Sequence, residues 1–180
     1  MKKVLIALCA VALGTTAMAQ TDQGGWMFGA GSNLGFTSGK LDNDADDATS
    51  NIAFDVRAGY FVIDNLAVGL DLGFGSETTG DLKDSNFGVG PYLRYYLPMK
   101  IFAEAGYQFG STKSDDGTTD FTYSTGALGI GVGYAAFLND NISIEPMFRY
   151  QMTSITPDEG DAINGSNIAV LINFGIYLGN

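Results

Sequence analysis

Seven charged residues sit inside stretches that are otherwise apolar or rich in glycine: Asp55, Arg57, Asp71, Arg94, Glu104, Glu145 and Arg149. Four of them are carboxylates, the residue type needed for acid–base work. The chain has no histidine, however, which removes the usual general base of Ser-His and Asp-His sites. The acids also alternate with the three arginines on one face of their segments, so an internal ion-pair network explains them better than catalysis does. No enzyme activity is expected. The single cysteine, Cys9, lies in an apolar N-terminal stretch, leaving neither a disulfide nor a Cys-based metal site. Asp42-Asn43-Asp44-Ala45-Asp46 opens like a calcium loop, yet Asp47 replaces the turn glycine and Ala53 replaces the closing Glu. No defined metal site and no cofactor is expected; loosely held divalent cations at acidic loops are the metal chemistry that remains.

The segments that position these charges alternate with a period of two, and there are eight of them: 26–36, 52–61, 66–75, 87–96, 102–110, 127–135, 142–152 and 168–178. In the second, Ile52, Phe54, Val56, Ala58 and Tyr60 oppose Ala53, Asp55, Arg57, Gly59 and Phe61. In the last, Ile168, Val170, Ile172, Phe174, Ile176 and Leu178 oppose Ala169, Leu171, Asn173, Gly175 and Tyr177. One face is uncharged in all eight segments, while the other holds all seven strand charges and many glycines. Segments of roughly ten residues suit a tilted strand crossing a hydrocarbon layer. An apolar exterior and a crowded polar lumen then follow, and closure leaves no backbone edge in lipid. The expected fold is all-β: an eight-stranded antiparallel up-and-down transmembrane β-barrel.

The N-terminus sets the compartment. Lys2 and Lys3 precede the apolar run Val4 to Leu13, which is too short to span a bilayer, and Ala17-Met18-Ala19 gives a small-x-small cleavage pattern. Residues 1–19 therefore read as a signal peptide cleaved after Ala19, and 20–180 as one barrel domain in the bacterial outer membrane of a Gram-negative cell. Without Lys2 and Lys3 the chain has seven basic residues against twenty acidic, which argues against nucleic acid as a partner. Thirteen of the acids fall in four long polar connections near 37–50, 76–85, 111–121 and 153–166, Asp46, Asp81, Asp116 and Asp158 among them. The connections at Ile63-Asp64-Asn65, Pro98-Met99-Lys100 and 137–141 are short. Short periplasmic turns and long external loops are the asymmetry of such barrels. Trp26, Tyr60, Tyr95 and Tyr134 fall at one rim and Phe36, Phe74, Phe109 and Tyr150 at the other, as interfacial girdles do.

On these features, with the terminal strand Asn173-Phe-Gly175-Ile-Tyr-Leu178, the chain resembles the small eight-stranded outer-membrane barrels, the OmpX-like proteins and the OmpA transmembrane domain. The resemblance implies outer-membrane lipids and the barrel-assembly machinery as partners, and a monomer. A secreted lipocalin shares the strand count, and Gly24-Gly25-Trp26 echoes its Gly-x-Trp start. It would turn the glycine-rich face to water, where Lys, Glu, Ser and Thr are needed. Eight strands leave an interior just wide enough for side chains. The expected role is thus a plugged or nearly plugged, non-enzymatic barrel acting at the cell surface through its acidic loops; the alternative is a narrow pore or small-molecule transporter. Pairing Val62 with Leu66 sets Arg57 opposite Asp71, and pairing Leu97 with Ile101 sets Arg94 opposite Glu104. Asp55, Glu145 and Arg149 would extend the network. Pro91 and Pro146 should each interrupt a strand ladder by a bulge or a missing bond.

Overall fold

A computed structural model describes residues 20–31, 35–39, 49–115, 120–157 and 161–179. The proposed signal peptide, the 42–53 loop up to residue 48, and Asp116, Asp158 and Glu159 lie outside the described residues. The strands are β1 (Trp26–Ala30), β2 (Gly35–Gly39), β3 (Thr49–Ile63), β4 (Leu66–Thr79), β5 (Leu82–Tyr96), β6 (Ile101–Asp115), β7 (Asp120–Tyr134), β8 (Ala136–Phe137), β9 (Ile142–Pro157) and β10 (Ile163–Leu178). They make eight staves, because β1 and β2 both pair with β3, and β8 carries β7's register onward along β9. Every pairing is antiparallel between neighbours, and β1 bonds to both β3 and β10. The sheet is a closed antiparallel up-and-down barrel.

The two faces are those of the period-two pattern. Outward residues such as Leu70 (58% exposed), Phe109 (60%) and Val170 (76%) form a continuous apolar exterior, far larger than a water-soluble protein tolerates and suited to lipid. Two residues beyond the last outward apolar residue, six of the eight staves turn to serine: Ile52 then Ser50, Phe74 then Ser76, Phe87 then Ser85, Phe109 then Ser111, Met152 then Ser154, Ile168 then Ser166. That ring marks one edge of the hydrocarbon. From Leu66 to Phe74 the apolar band runs nine residues, which at about 3.3 Å each and a tilt near 40° spans roughly 23 Å.

The hairpins bear on the register expected from the sequence. Arg57 does oppose Asp71, but Ile63 rather than Val62 pairs with Leu66, with a register shift between Phe61 and Ile63. The turn shortens to Asp64-Asn65, Asn65 taking a left-handed φ of 67°, a conformation that Asn tolerates and a tight hairpin demands. The bulge absorbs the odd residue and keeps the parity of the strand body. Leu97 donates its N–H to Ile101 O at 2.7 Å, and Arg94 opposes Glu104. At Pro91 the β5–β6 ladder lapses between Val89↔Phe109 and Tyr92↔Gly106. At Pro146 it lapses between Gly133↔Met147 and Ala136↔Ile144. The register is the same on both sides of each gap, so the prolines cost bonds and introduce no bulge.

All four long connections are shorter than the sequence suggests; in 37–50, β2 and β3 pair out to Gly39↔Thr49. The stretch 76–85 is not a loop: Ser76↔Ser85 through Thr79↔Leu82 continue the β4–β5 ladder to a two-residue turn, where Gly80 takes φ 59°. Likewise β6 and β7 pair out to Asp115↔Asp120, and β9 and β10 out to Ile155↔Ile163. Hydroxyl-bearing strands complete their ladders in water as well as in lipid.

Candidate functional site

The lumen gathers the charges, and it has three levels. At the end where β1 begins and β10 finishes, Met27, Phe61, Ala67, Tyr96, Phe102, Ala135, Met147 and Tyr177 form one buried cluster. Its rings touch tilted, edge to face or stacked, with Phe61–Tyr96 and Tyr96–Phe102 centroids both 5.8 Å apart. Such geometry adds to the gain from burial. Gly133 and Gly131 make room for it, since a Cβ on either would collide with Phe102 or Met147. Residues before β1 lie across the adjoining turn: Asn65 N–H donates to Thr21 O at 2.7 Å, Gly24 N–H to Phe61 O at 2.9 Å, and Gln23 N–H to Asp64 Oδ1 at 2.8 Å.

Above this cluster runs a chain of ion pairs. Arg57 Nε lies 3.0 Å from Asp71 Oδ1, and its Nη1 donates to Glu104 Oε2 at 2.6 Å. Arg94 Nε donates to the same Glu104 oxygen at 2.8 Å, and its Nη1 to Glu145 Oε2 at 2.6 Å. The other Glu145 oxygen accepts from Ser143 Oγ at 2.7 Å and from the Tyr177 hydroxyl. Tyr177 and Tyr96 share a hydroxyl–hydroxyl bond of 2.6 Å. Arg94 is wholly buried, and its guanidinium lies 4.0 Å over the Phe102 ring, a cation–π contact strengthened by the lack of water. Four ion pairs thus join Asp71, Arg57, Glu104, Arg94 and Glu145 in one line across the barrel. Buried charges need this degree of pairing, because each carries a desolvation cost of several kcal/mol.

Asp55 and Arg149, the other two of the seven, stand above that line. With Arg57, Asp71, Gln108 and Asn173 they line a cavity of about 380 Å³. Asp55 also lines a further cavity of about 530 Å³ toward the outer ends of β3–β6. Arg149 lies across the sixth stave, where a Cβ on Gly129 would fall 2.5 Å from its Nε, and it makes no ion pair among the described residues. Period-two reading places Ser143, Gln108 and Gln151 on the inward face; it cannot tell that Ser143 and Tyr177 both reach Glu145, which depends on how the staves curve. Among the described residues no cluster of three or more His, Cys, Asp or Glu could hold a metal ion.

With closed sheet, apolar belt and charged lumen established, the class is an integral β-barrel. The sequence profile of the outer membrane protein beta-barrel domain matches residues 5–174. The chain belongs to that family, and its place is the bacterial outer membrane. No curated protein sequence matches it. Among solved structures it is similar to Neisserial surface protein A at 13% identity and a TM-score of 0.47, covering 84% of this chain and 94% of that one. It is also similar to OprG from Pseudomonas aeruginosa at 16% identity and a TM-score of 0.44, covering 91% and 100%. The AlkL structure in lipid bilayers shares 16% identity at a TM-score of 0.45, covering 88% and 89%.

Proposed function

We propose that the protein is a non-enzymatic barrel, closed toward the periplasm, that acts at the cell surface through its outward-facing end. One observation carries the reading: the lumen level at the start of β1 and the end of β10 has Met27, Phe61, Phe102 and Tyr177 at 0% exposure, directly beneath a wholly buried Arg94. A hydrated ion passing that level would have to displace packed rings and break paired charges in low dielectric. The cavities of about 380 and 530 Å³ lie on the other side of the ion pairs from that level, as a cup on the outward side would. The chain's lack of histidine supports the non-enzymatic half of the reading, and the acidic excess keeps the exposed end soluble. Three short turns beside the buried cluster, at 64–65, 98–100 and 139–141, support a periplasmic side for that end.

Planar-bilayer recording tests the closure. The purified barrel should show no steady ohmic current, and Tyr96→Ala with Phe102→Ala should create one. Steady current through the wild-type barrel would replace this reading with that of a narrow pore.

A further inference from the structure

Beyond the serine ring the polarity of the staves inverts. The outward positions there are polar: Thr122 and Ser124 on β7, Ser154 and Thr156 on β9, Asn164 and Ser166 on β10. The inward positions of the same three staves are apolar: Phe121, Tyr123, Ile155, Pro157 and Ile163. Register makes them one wall. Tyr123 opposes Pro157, Ile155 opposes Ile163, and Phe121 and Tyr123 share the parity of Thr112, a lumen-lining residue. The wall faces water, with Phe121 50%, Ile163 64% and Ile155 38% exposed. Its position is past the hydrocarbon edge and on the lumen side, so membrane lipid does not account for it.

The opposite wall, on β3, β4 and β5, differs in chemistry. Asn51, Glu77, Asp84 and Asn86 line the 530 Å³ cavity there, and no basic side chain is among its lining residues. Glu77 and Asp84 are directly opposed in the ladder, an unfavourable arrangement for two carboxylates. Glu77 accepts from Asn51 Nδ2 at 3.2 Å, which does not neutralise it.

We propose that this two-sided mouth docks a cationic, amphipathic peptide from outside the cell, its basic side chains on Glu77 and Asp84 and its apolar ones on the β7–β9–β10 wall. Charge complementarity selects the occupant: an apolar ligand alone leaves the carboxylate pair uncompensated, and a bare cation leaves Phe121 and Ile163 in water. Peptide backbone spans both walls with its side chains alternating between them. The proposal rests on the surface-interaction half of the proposed function and not on the closed lumen. A conducting barrel would therefore overturn that closure and leave this docking standing.

The test uses the full barrel in nanodiscs of zwitterionic lipid, with empty nanodiscs as the blank. The probes are a labelled amidated Lys-Leu-Lys-Leu-Lys pentapeptide and its Glu-Leu-Glu-Leu-Glu counterpart, read by fluorescence anisotropy. The wild type should bind the cationic probe saturably and the acidic one not at all. Glu77→Gln with Asp84→Asn, and separately Phe121→Ser with Ile163→Ser, should each weaken binding at least tenfold. Only the first should also flatten its dependence on salt. These positions are exposed, and heat-modified gel mobility checks that each variant folds. No binding of the cationic probe overturns the proposal. So does equal binding of both probes, which marks a purely apolar site, or loss of the peptide when millimolar Ca²⁺ is added at constant ionic strength, which marks a divalent-cation site.

Discussion

Arg94 is the residue on which the lumen depends most. It touches Glu104 on the neighbouring strand and Glu145 across the barrel, and it is wholly buried. Arg94→Ala would leave buried Glu145 with no cation and Glu104 with Arg57 alone, and should cost about 3–5 kcal/mol in denaturant unfolding of the micelle-bound barrel. Arg57→Ala should cost less, about 1–3 kcal/mol, because Glu104 keeps Arg94 and Asp71 opens onto the 380 Å³ cavity. The reverse order of the two losses would mean that the charges are hydrated where the rings enclose them. Exchanging Arg57 with Asp71 should restore little stability, since the new carboxylate at 57 would face Glu104. The Arg94–Glu104 pair was legible in the sequence because the turn after Leu97 sets its register; Arg57 opposes Asp71 as expected only because the bulge between Phe61 and Ile63 offsets the shorter turn. The cross-links Arg57–Glu104 and Arg94–Glu145 were not legible. They depend on how far each guanidinium reaches over glycine-lined staves, and period-two counting carries no information about distance across a lumen.

At the scale of the strand, faces were easier to read than lengths. Alternation is strong only while one face meets lipid. Past the serine ring both faces of β4 are polar, with Ser76 and Thr78 outside and Gly75 and Glu77 inside, so the strand looks like a loop although its ladder continues. On β7, β9 and β10 the alternation does not fade but reverses, and a pattern sought with one fixed phase misses it. The prolines were legible because a missing donor is a fact of chemistry; what closes the gap at Pro91 was not. Gly90 lets the backbones approach so closely that an added Cβ would collide with the Tyr107 carbonyl and Gln108 Cα. Gly90→Ala should therefore destabilise the barrel by about 1–3 kcal/mol. Gly165→Ala, where a Cβ would meet nothing within 4 Å, should leave the unfolding midpoint unchanged or slightly raised. Equal effects at the two glycines would show that β5 and β6 do not close up at the proline.

For the whole molecule, orientation is the property that gives the two ends their roles. Asp81 lies in the two-residue turn after Gly80, while Asp64 and Asn139 lie at the opposite end. An impermeant thiol reagent on intact cells should label Asp81→Cys and leave Asp64→Cys and Asn139→Cys unmodified. Labelling with the opposite pattern would turn the cup toward the periplasm and remove the surface role. The buried cluster has a consequence for how the molecule is made. Its side chains come from both ends of the barrel sequence: Met27 from the first stave, Tyr177 from the last, with the Tyr96 hydroxyl 2.6 Å from that of Tyr177 and 3.9 Å from Met27 Sδ. These contacts join residues 69 and 81 apart in sequence and form late, because loop closure over such distances is slow. Until β1 zips onto β10, Met27 is missing from the floor beside Tyr177 and Tyr96. Insertion and sealing thus finish in one step, and a barrel stalled with its seam open is also a barrel that leaks.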